Sequence, residues 1–199
     1  LVVGCSFGAL IGGVYAQTGS AKNLEEQAYG FLDTEAYAGL GLDRIRQRAH
    51  LQEYFLNQLT RNIRHWVMLT MSTQRPAILK GERLQDCINL FLAETNFSEN
   101  KIPFACNATD LISGQPFLFV QGSMRTAVTA SASIPGYFPP IPVGDKSLVD
   151  GAITCNLPIK FARMLGAENV IAVDIHPDVQ PDNNVNSVID IILRTRTIT

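Results

Sequence analysis

Charge, paired cysteines and long apolar runs are all scarce in this chain. Charged residues make up 17% of its 199 positions and balance to a formal −2. No broad basic field therefore marks nucleic acid or an anionic membrane as the main partner. No apolar run approaches the ~20 residues of a membrane-spanning helix. The four cysteines, Cys5, Cys87, Cys106 and Cys155, are scattered. None forms a C-x-x-C pair and no histidine lies at ligand spacing from them, which argues against zinc and disulfide frameworks and leaves buried free thiols. There is no P-loop, and Gly39-Leu40-Gly41 lacks the third glycine of a dinucleotide fingerprint because Arg44 stands there. No metal and no cofactor is expected. Repeats and low-complexity segments are missing too. So is an initiator Met: the chain opens inside a strand pattern and ends in a helical one with no stop signal. That points to a piece of a longer protein, incomplete at its N-terminus and also at its C-terminus, whose missing start makes a signal peptide unreadable.

What is present is globular. A hydrophobic share of 46% over 199 residues is enough for one domain, 1–199, with a sizeable core. Helical patterns run over 8–17, 23–32, 42–59, 81–94, 123–131, 157–165 and 185–196. The helix over 123–131 is capped by Ser123, and 157–165 carries Pro158 in its first turn. The basic, amphipathic 42–59 segment suits a core-facing helix with a solvated charged face better than a membrane-surface helix. Residues 61–78 are ambiguous, with ordinary core favoured over a lipid-binding wall. Strand patterns cover 103–109, its return at 116–120, the short 147–149, and the β-branched run 170–175, which reads as a central parallel strand. Strands alternating with helices indicate an α/β fold with a mostly parallel sheet. Asn96-Phe97-Ser98 and Asn107-Ala108-Thr109 match the glycosylation pattern, but Asn107 falls in a buried-strand pattern and both matches are discounted.

The first thirteen residues carry the chemistry. Leu1-Val2-Val3 reads as the end of a buried strand, and Gly4-Cys5-Ser6-Phe7-Gly8 fits G-x-S-x-G. A nucleophile at the apex of a strained strand-to-helix turn needs almost no side chain two positions either side, where strand and helix cross. The turn also sets Ser6 at a helix N-terminus, where free N–H groups and the dipole favour a developing oxyanion. Far downstream, Asp150-Gly151-Ala152 ends a short strand, and its glycine lets a loop bring a carboxylate close to a site built elsewhere.

These two motifs together resemble the signature pair of the patatin-like phospholipases. Ala108-Thr109-Asp110-Leu111 with Gly114, the run from Ala130 through Ser131, Ser133, Ile134-Pro135-Gly136-Tyr137-Phe138 to Pro140, and Asn156-Leu157-Pro158 are also similar to that family, especially its bacterial-type branch. The similarity keeps its order over nearly the whole chain. It implies a three-layer α/β/α domain that hydrolyses carboxylic esters of lipids or phospholipids, in lipid catabolism, with a Ser–Asp dyad. Carried over by position, Ser6 is the nucleophile and Asp150 the general base, flanked by the motif residues Gly4, Cys5, Phe7, Gly8, Gly151 and Ala152. The backbone N–H of Phe7 is the expected oxyanion donor. An aspartate with an ordinary pKa near ~3.9 is a weak base for a hydroxyl, so burial and aligned dipoles have to assist it.

Two departures from the family stand out. Its Gly-rich turn upstream of the nucleophile strand, source of most of the oxyanion hole, has no match here; a single lost donor costs ~10²–10³ in rate. Phe7 stands where the family usually has a small residue, so its ring narrows or replaces part of the acyl site. Two rival readings remain. One is a Ser6–Asp150–His176 triad, in the chain order of α/β-hydrolases. The other is an inactive fragment that binds lipid or a protein partner. A cytoplasmic or peripheral-membrane location suits the lipid substrate, with no nucleic-acid partner. Oligomeric state is not legible.

Overall fold

The computed structural model describes residues 1–32, 34, 77 and 80–175. Among these, strand β1 (Val2–Cys5) leads into helix α1 (Phe7–Thr18) and α2 (Ala21–Leu32). Helix α3 (Gly81–Phe91) and a 3₁₀ turn (Phe97–Glu99) follow, then β2 (Phe104–Asp110), β3 (Pro116–Phe119) and α4 (Met124–Ser131). The hairpin β4 (Ile141–Val143) and β5 (Lys146–Asp150) precede two short helices, α5 (Ala152–Cys155) and α6 (Ile159–Met164).

β2 is the axis of the sheet, and every one of its residues is buried. Alternation along a strand sends successive side chains to opposite faces. Phe104, Cys106 and Ala108 join Ala9 and Val14 of α1, Ile88 of α3, and Ala127 and Val128 of α4 in one core. On the other face Asn107 donates to the carbonyl of Cys155, 2.9 Å away, and the Thr109 hydroxyl meets that of Thr154 at 2.9 Å. That face is covered by α5. Helices thus lie on both sides of the sheet, the three-layer α/β/α arrangement that the sequence implies.

Among the described residues the sheet is mixed. β1 pairs with β2 in parallel, whereas β3 and β5 pair with β2, and β4 with β5, in antiparallel fashion. The parallel expectation placed a central strand at 170–175. Those residues join no strand among the described residues, and Ile171, Val173 and Ile175 are 95%, 75% and 66% exposed. β-branched residues favour a pleated, half-buried surface, and a run of them makes a strand only where an edge is there to pair with. The β4–β5 hairpin, in contrast, turns through Gly144 at φ 60 followed by Asp145. Only its second strand was expected, although a two-residue Gly-Asp loop is a hairpin signal.

Two helix ends follow the local chemistry that marks them in the sequence. Gly19 closes α1 in the left-handed conformation at φ 66 and donates to the Tyr15 carbonyl. Ser123 accepts from the Thr126 N–H at 3.1 Å and caps α4. The Pro158 helix begins slightly later than expected, at Ile159. The patterns at 42–59, nearly all of 61–78, and 185–196 lie outside the described residues.

Asp110, at the end of β2, is 3% exposed and ties the β2–β3 turn to β5. Its carboxylate accepts from the Ser113 hydroxyl at 2.7 Å and from the Ile112 and Ser147 N–H groups, both at 3.2 Å. The Ser113 hydroxyl, aided by the N–H groups of Ile112, Ser147 and Ser113, holds the carboxyl below its usual range against the opposing effect of desolvation. A depressed folded pKa gives stability that is present above the unfolded value and lost as pH falls through the folded one. Wild type should therefore melt above Asp110→Asn at neutral pH, and the gap should close as pH falls below about 4. A gap independent of pH would show that the charge contributes nothing.

Candidate active site

Two strands share one edge of β2, and the site lies where they meet. β1 runs along that edge until Cys5 stands opposite Asn107. β5 comes from the other direction and ends with Asp150 opposite Ala108. β3 occupies the opposite edge over the same residues. The C-terminal ends of β1 and β5 therefore point at each other across a single step of β2. Ser6, the residue after β1, and Asp150, the last of β5, are brought together from far apart in sequence. The Ser6 hydroxyl donates to Asp150 Oδ2 at 2.5 Å.

The turn that holds Ser6 is strained. Its φ of 53 is the only positive value at a non-glycine residue among the described residues. Such a conformation costs on the order of 1–3 kcal/mol and persists only where the surroundings impose it. Here the Ser6 carbonyl accepts from the Ala9 and Leu10 N–H groups at 2.9 and 3.3 Å. Gly4 lets α1 cross β1: a Cβ there would lie 2.4 Å from the Gly8 carbonyl oxygen and 2.5 Å from the Ala9 Cα. The same crowding was expected at Gly8, and there the structure differs, because a Cβ on Gly8 would meet nothing within 4 Å. One glycine suffices because only Gly4 lies under the crossing.

Ser6 occupies the N-cap position of α1, yet its side chain does not cap the helix. The hydroxyl goes to Asp150 instead. The opening N–H groups of a helix have no partner within it, so Phe7 N–H stands beside Ser6 at the positive end of the helix dipole. The Phe7 ring is 61% exposed.

Asp150 is 3% exposed and held on both sides. Its Oδ1 accepts from the Ala152 N–H at 2.8 Å, and its own N–H donates to the Ser133 carbonyl at 2.9 Å. Gly151 is required for space: a Cβ would fall 2.4 Å from both Asn107 Nδ2 and the Asn107 carbonyl oxygen. Asn107 is fully buried and donates to the carbonyls of Gly151 and Cys155 at 3.2 and 2.9 Å. Cys5 is a poor alternative nucleophile. Burial first, then the neighbouring Asp150 and Cys155, pushes its thiol up to about 12, so it stays protonated and weakly reactive. Cys5, Cys87 and Cys106 are buried and Cys155 is half-buried, and no disulfide joins them.

His50, His65 and His176 lie outside the described residues. Ser131 and Ser133 were read only as part of a family pattern, and Asn107 only as a sequon. Their contacts with the site depend on tertiary placement and carry no local signal. No group of three or more His, Cys, Asp or Glu able to hold a metal occurs among the described residues. No helix among them is long and apolar enough to cross a membrane.

Ser6, at a strand-to-helix turn, thus faces the Asp150 carboxylate at the end of a neighbouring strand. Residues 1–163 match the family model described as "Patatin-like phospholipase", and the chain belongs to that family. A patatin-like phospholipase domain-containing protein of Caenorhabditis elegans is 32% identical over 188 residues, which is 94% of this chain and 15% of that protein. An NTE family protein of Mycobacterium bovis is 28% identical over 175 residues, 88% of this chain and 40% of the relative. Mouse patatin-like phospholipase domain-containing protein 6 is 25% identical over 184 residues, 92% of this chain and 12% of the relative. The chain thus spans well under half the length of each of these three relatives.

Proposed function

We propose that this chain is one patatin-like domain, 1–199, that cleaves carboxylic esters of lipids through a Ser6–Asp150 dyad. The observation that carries this reading is the 2.5 Å hydrogen bond from the Ser6 hydroxyl to Asp150 Oδ2. A serine already bonded to a carboxylate has its proton acceptor in place, with no imidazole between them. Ser6 Oγ attacks the acyl carbonyl as its proton passes to Asp150 Oδ2. The carbonyl oxygen becomes an oxyanion near the Phe7 N–H. Collapse expels the alcohol, which takes the proton from Asp150, and leaves an acyl group on Ser6. Water then attacks the acyl-enzyme as Asp150 takes its proton, and collapse releases the fatty acid as Asp150 returns that proton to Ser6 Oγ.

The surroundings suit an amphiphilic substrate. Phe7 beside the nucleophile is 61% exposed, and Ile153, three residues after Asp150, is 43% exposed. These apolar side chains flank the dyad on α1 and α5, where an acyl chain or a lipid aggregate would approach.

The deciding experiment is labelling with a serine-selective fluorophosphonate, mapped by mass spectrometry, beside hydrolysis of a short-chain p-nitrophenyl ester. Label on Ser6, its loss with turnover in Ser6→Ala, and full activity in His176→Ala are the expected results. Turnover surviving in Ser6→Ala would overturn the reading, and loss in His176→Ala would replace the dyad by a triad.

A further inference from the structure

The β1–β2 ladder is missing a rung, and a side chain fills the gap. The Val2 N–H donates to the Pro103 carbonyl at 2.8 Å. In a parallel pair this bond recurs at every second residue. With Cys5 opposite Asn107, the rung due after Gly4 is from the Ser6 N–H to the Asn107 carbonyl. Instead the Ser6 N–H donates to Ser131 Oγ at 2.9 Å, and the Ser131 hydroxyl donates to the Asn107 carbonyl at 2.7 Å. A fully buried hydroxyl thus stands in the place of one direct backbone bond.

The insertion has a geometric purpose. A direct rung would hold Ser6 against β2 as the next residue of a straight strand, opposite Ala108. That position belongs to Asp150. Spacing Ser6 off by one hydroxyl lets β1 leave the sheet and leaves the edge of β2 open for the end of β5. Ser131 also holds the other half of the site, because its carbonyl accepts from the Gly151 N–H at 3.3 Å. One residue at the end of α4 therefore touches the nucleophile's backbone, the central strand and the loop after the base.

We infer that Ser131 is a positioning residue that sets the Ser6–Asp150 geometry by bridging the Ser6 N–H to β2. The inference rests on the dyad reading above. It also assigns the Ser6 N–H to structure, so that N–H is unavailable to the oxyanion and the task falls to Phe7 and donors beyond it.

The test compares Ser131→Ala with wild type in the full chain. Active sites are titrated with a fluorophosphonate, so a smaller folded fraction is separated from a slower enzyme. A displacement on the order of 1 Å at a reacting group costs about 10²-fold. The expected result is a fall in kcat per titrated site of about that size, with KM unchanged. Hydrogen exchange at the Ser6 amide should accelerate selectively, while amides within β1 keep their protection. Should Ser131→Ala not fold, Ser131→Cys, close in volume and a weak hydrogen-bonder, carries the same comparison. Wild-type kcat per titrated site, or an unchanged Ser6 exchange rate, overturns the inference. A wild type that is neither labelled at Ser6 nor active overturns the hydrolase reading instead, and the exchange measurement still decides whether Ser131 forms the rung.

Discussion

Asp150→Asn is expected to lower turnover by about 10²–10⁴-fold, the usual contribution of a positioned general base, in a protein that keeps its fold. Asparagine has the shape of the carboxylate, and its Oδ1 can still accept the Ala152 N–H, now 2.8 Å from Asp150 Oδ1. The atom that then replaces Oδ2, 2.5 Å from the Ser6 hydroxyl, is an amide nitrogen. It donates and cannot accept, so the serine proton has nowhere to go. Steady-state hydrolysis of a p-nitrophenyl ester beside circular dichroism separates lost chemistry from lost structure. A folded Asp150→Asn within tenfold of wild type would remove Asp150 from the reaction.

The second large effect concerns folding. In Gly4→Ala the new methyl would fall 2.4 Å from the Gly8 carbonyl oxygen and 2.7 Å from the Ala9 nitrogen. These are backbone atoms, which cannot swing aside, so α1 would have to lift off β1. Overpacking of this kind costs about 3 kcal/mol or more. At about 2–4 °C per kcal/mol for a domain of this size, the thermal midpoint should drop by about 6–12 °C. Gly8→Ala is the control. With nothing within 4 Å of the new methyl and a helical backbone, it should stabilise by about 0.5–1 kcal/mol. Thermal melts of both variants check the pair, and a Gly4→Ala protein as stable as wild type would overturn the close crossing.

The two glycines show how far the sequence could be read. Gly4 and Gly8 look equivalent in the motif, and only the path of α1 over β1 distinguishes them. Ser6 and Asp150 were legible because each sits in a short pattern whose spacing reflects local backbone geometry. Ser131 was not, since it bridges an N–H of the turn after β1 and a carbonyl of β2. The α/β class followed from the alternation of periods, and the capping of α4 by Ser123 from local chemistry. The direction of the strands did not follow, because antiparallel pairing of β5 with β2 is set by tertiary contacts. The run at 170–175 has strong β propensity, and propensity alone provides no neighbour.

The meeting of β1 and β5 on one edge of β2 also has a consequence in time. The Ser6–Asp150 bond spans 144 positions, so nothing local can assemble it. At the ~5–20 residues per second of protein synthesis, Ser6 leaves the ribosome on the order of 10 s before Asp150. For most of that interval α1 can coil while β1 has no β2 to lie against, and until β5 is made Ser6 has no Asp150 carboxylate to donate to. The closing of so long a loop comes late and slowly. The Ser6–Asp150 contact is therefore withheld from the nascent chain until β2 and β5 have both joined the sheet.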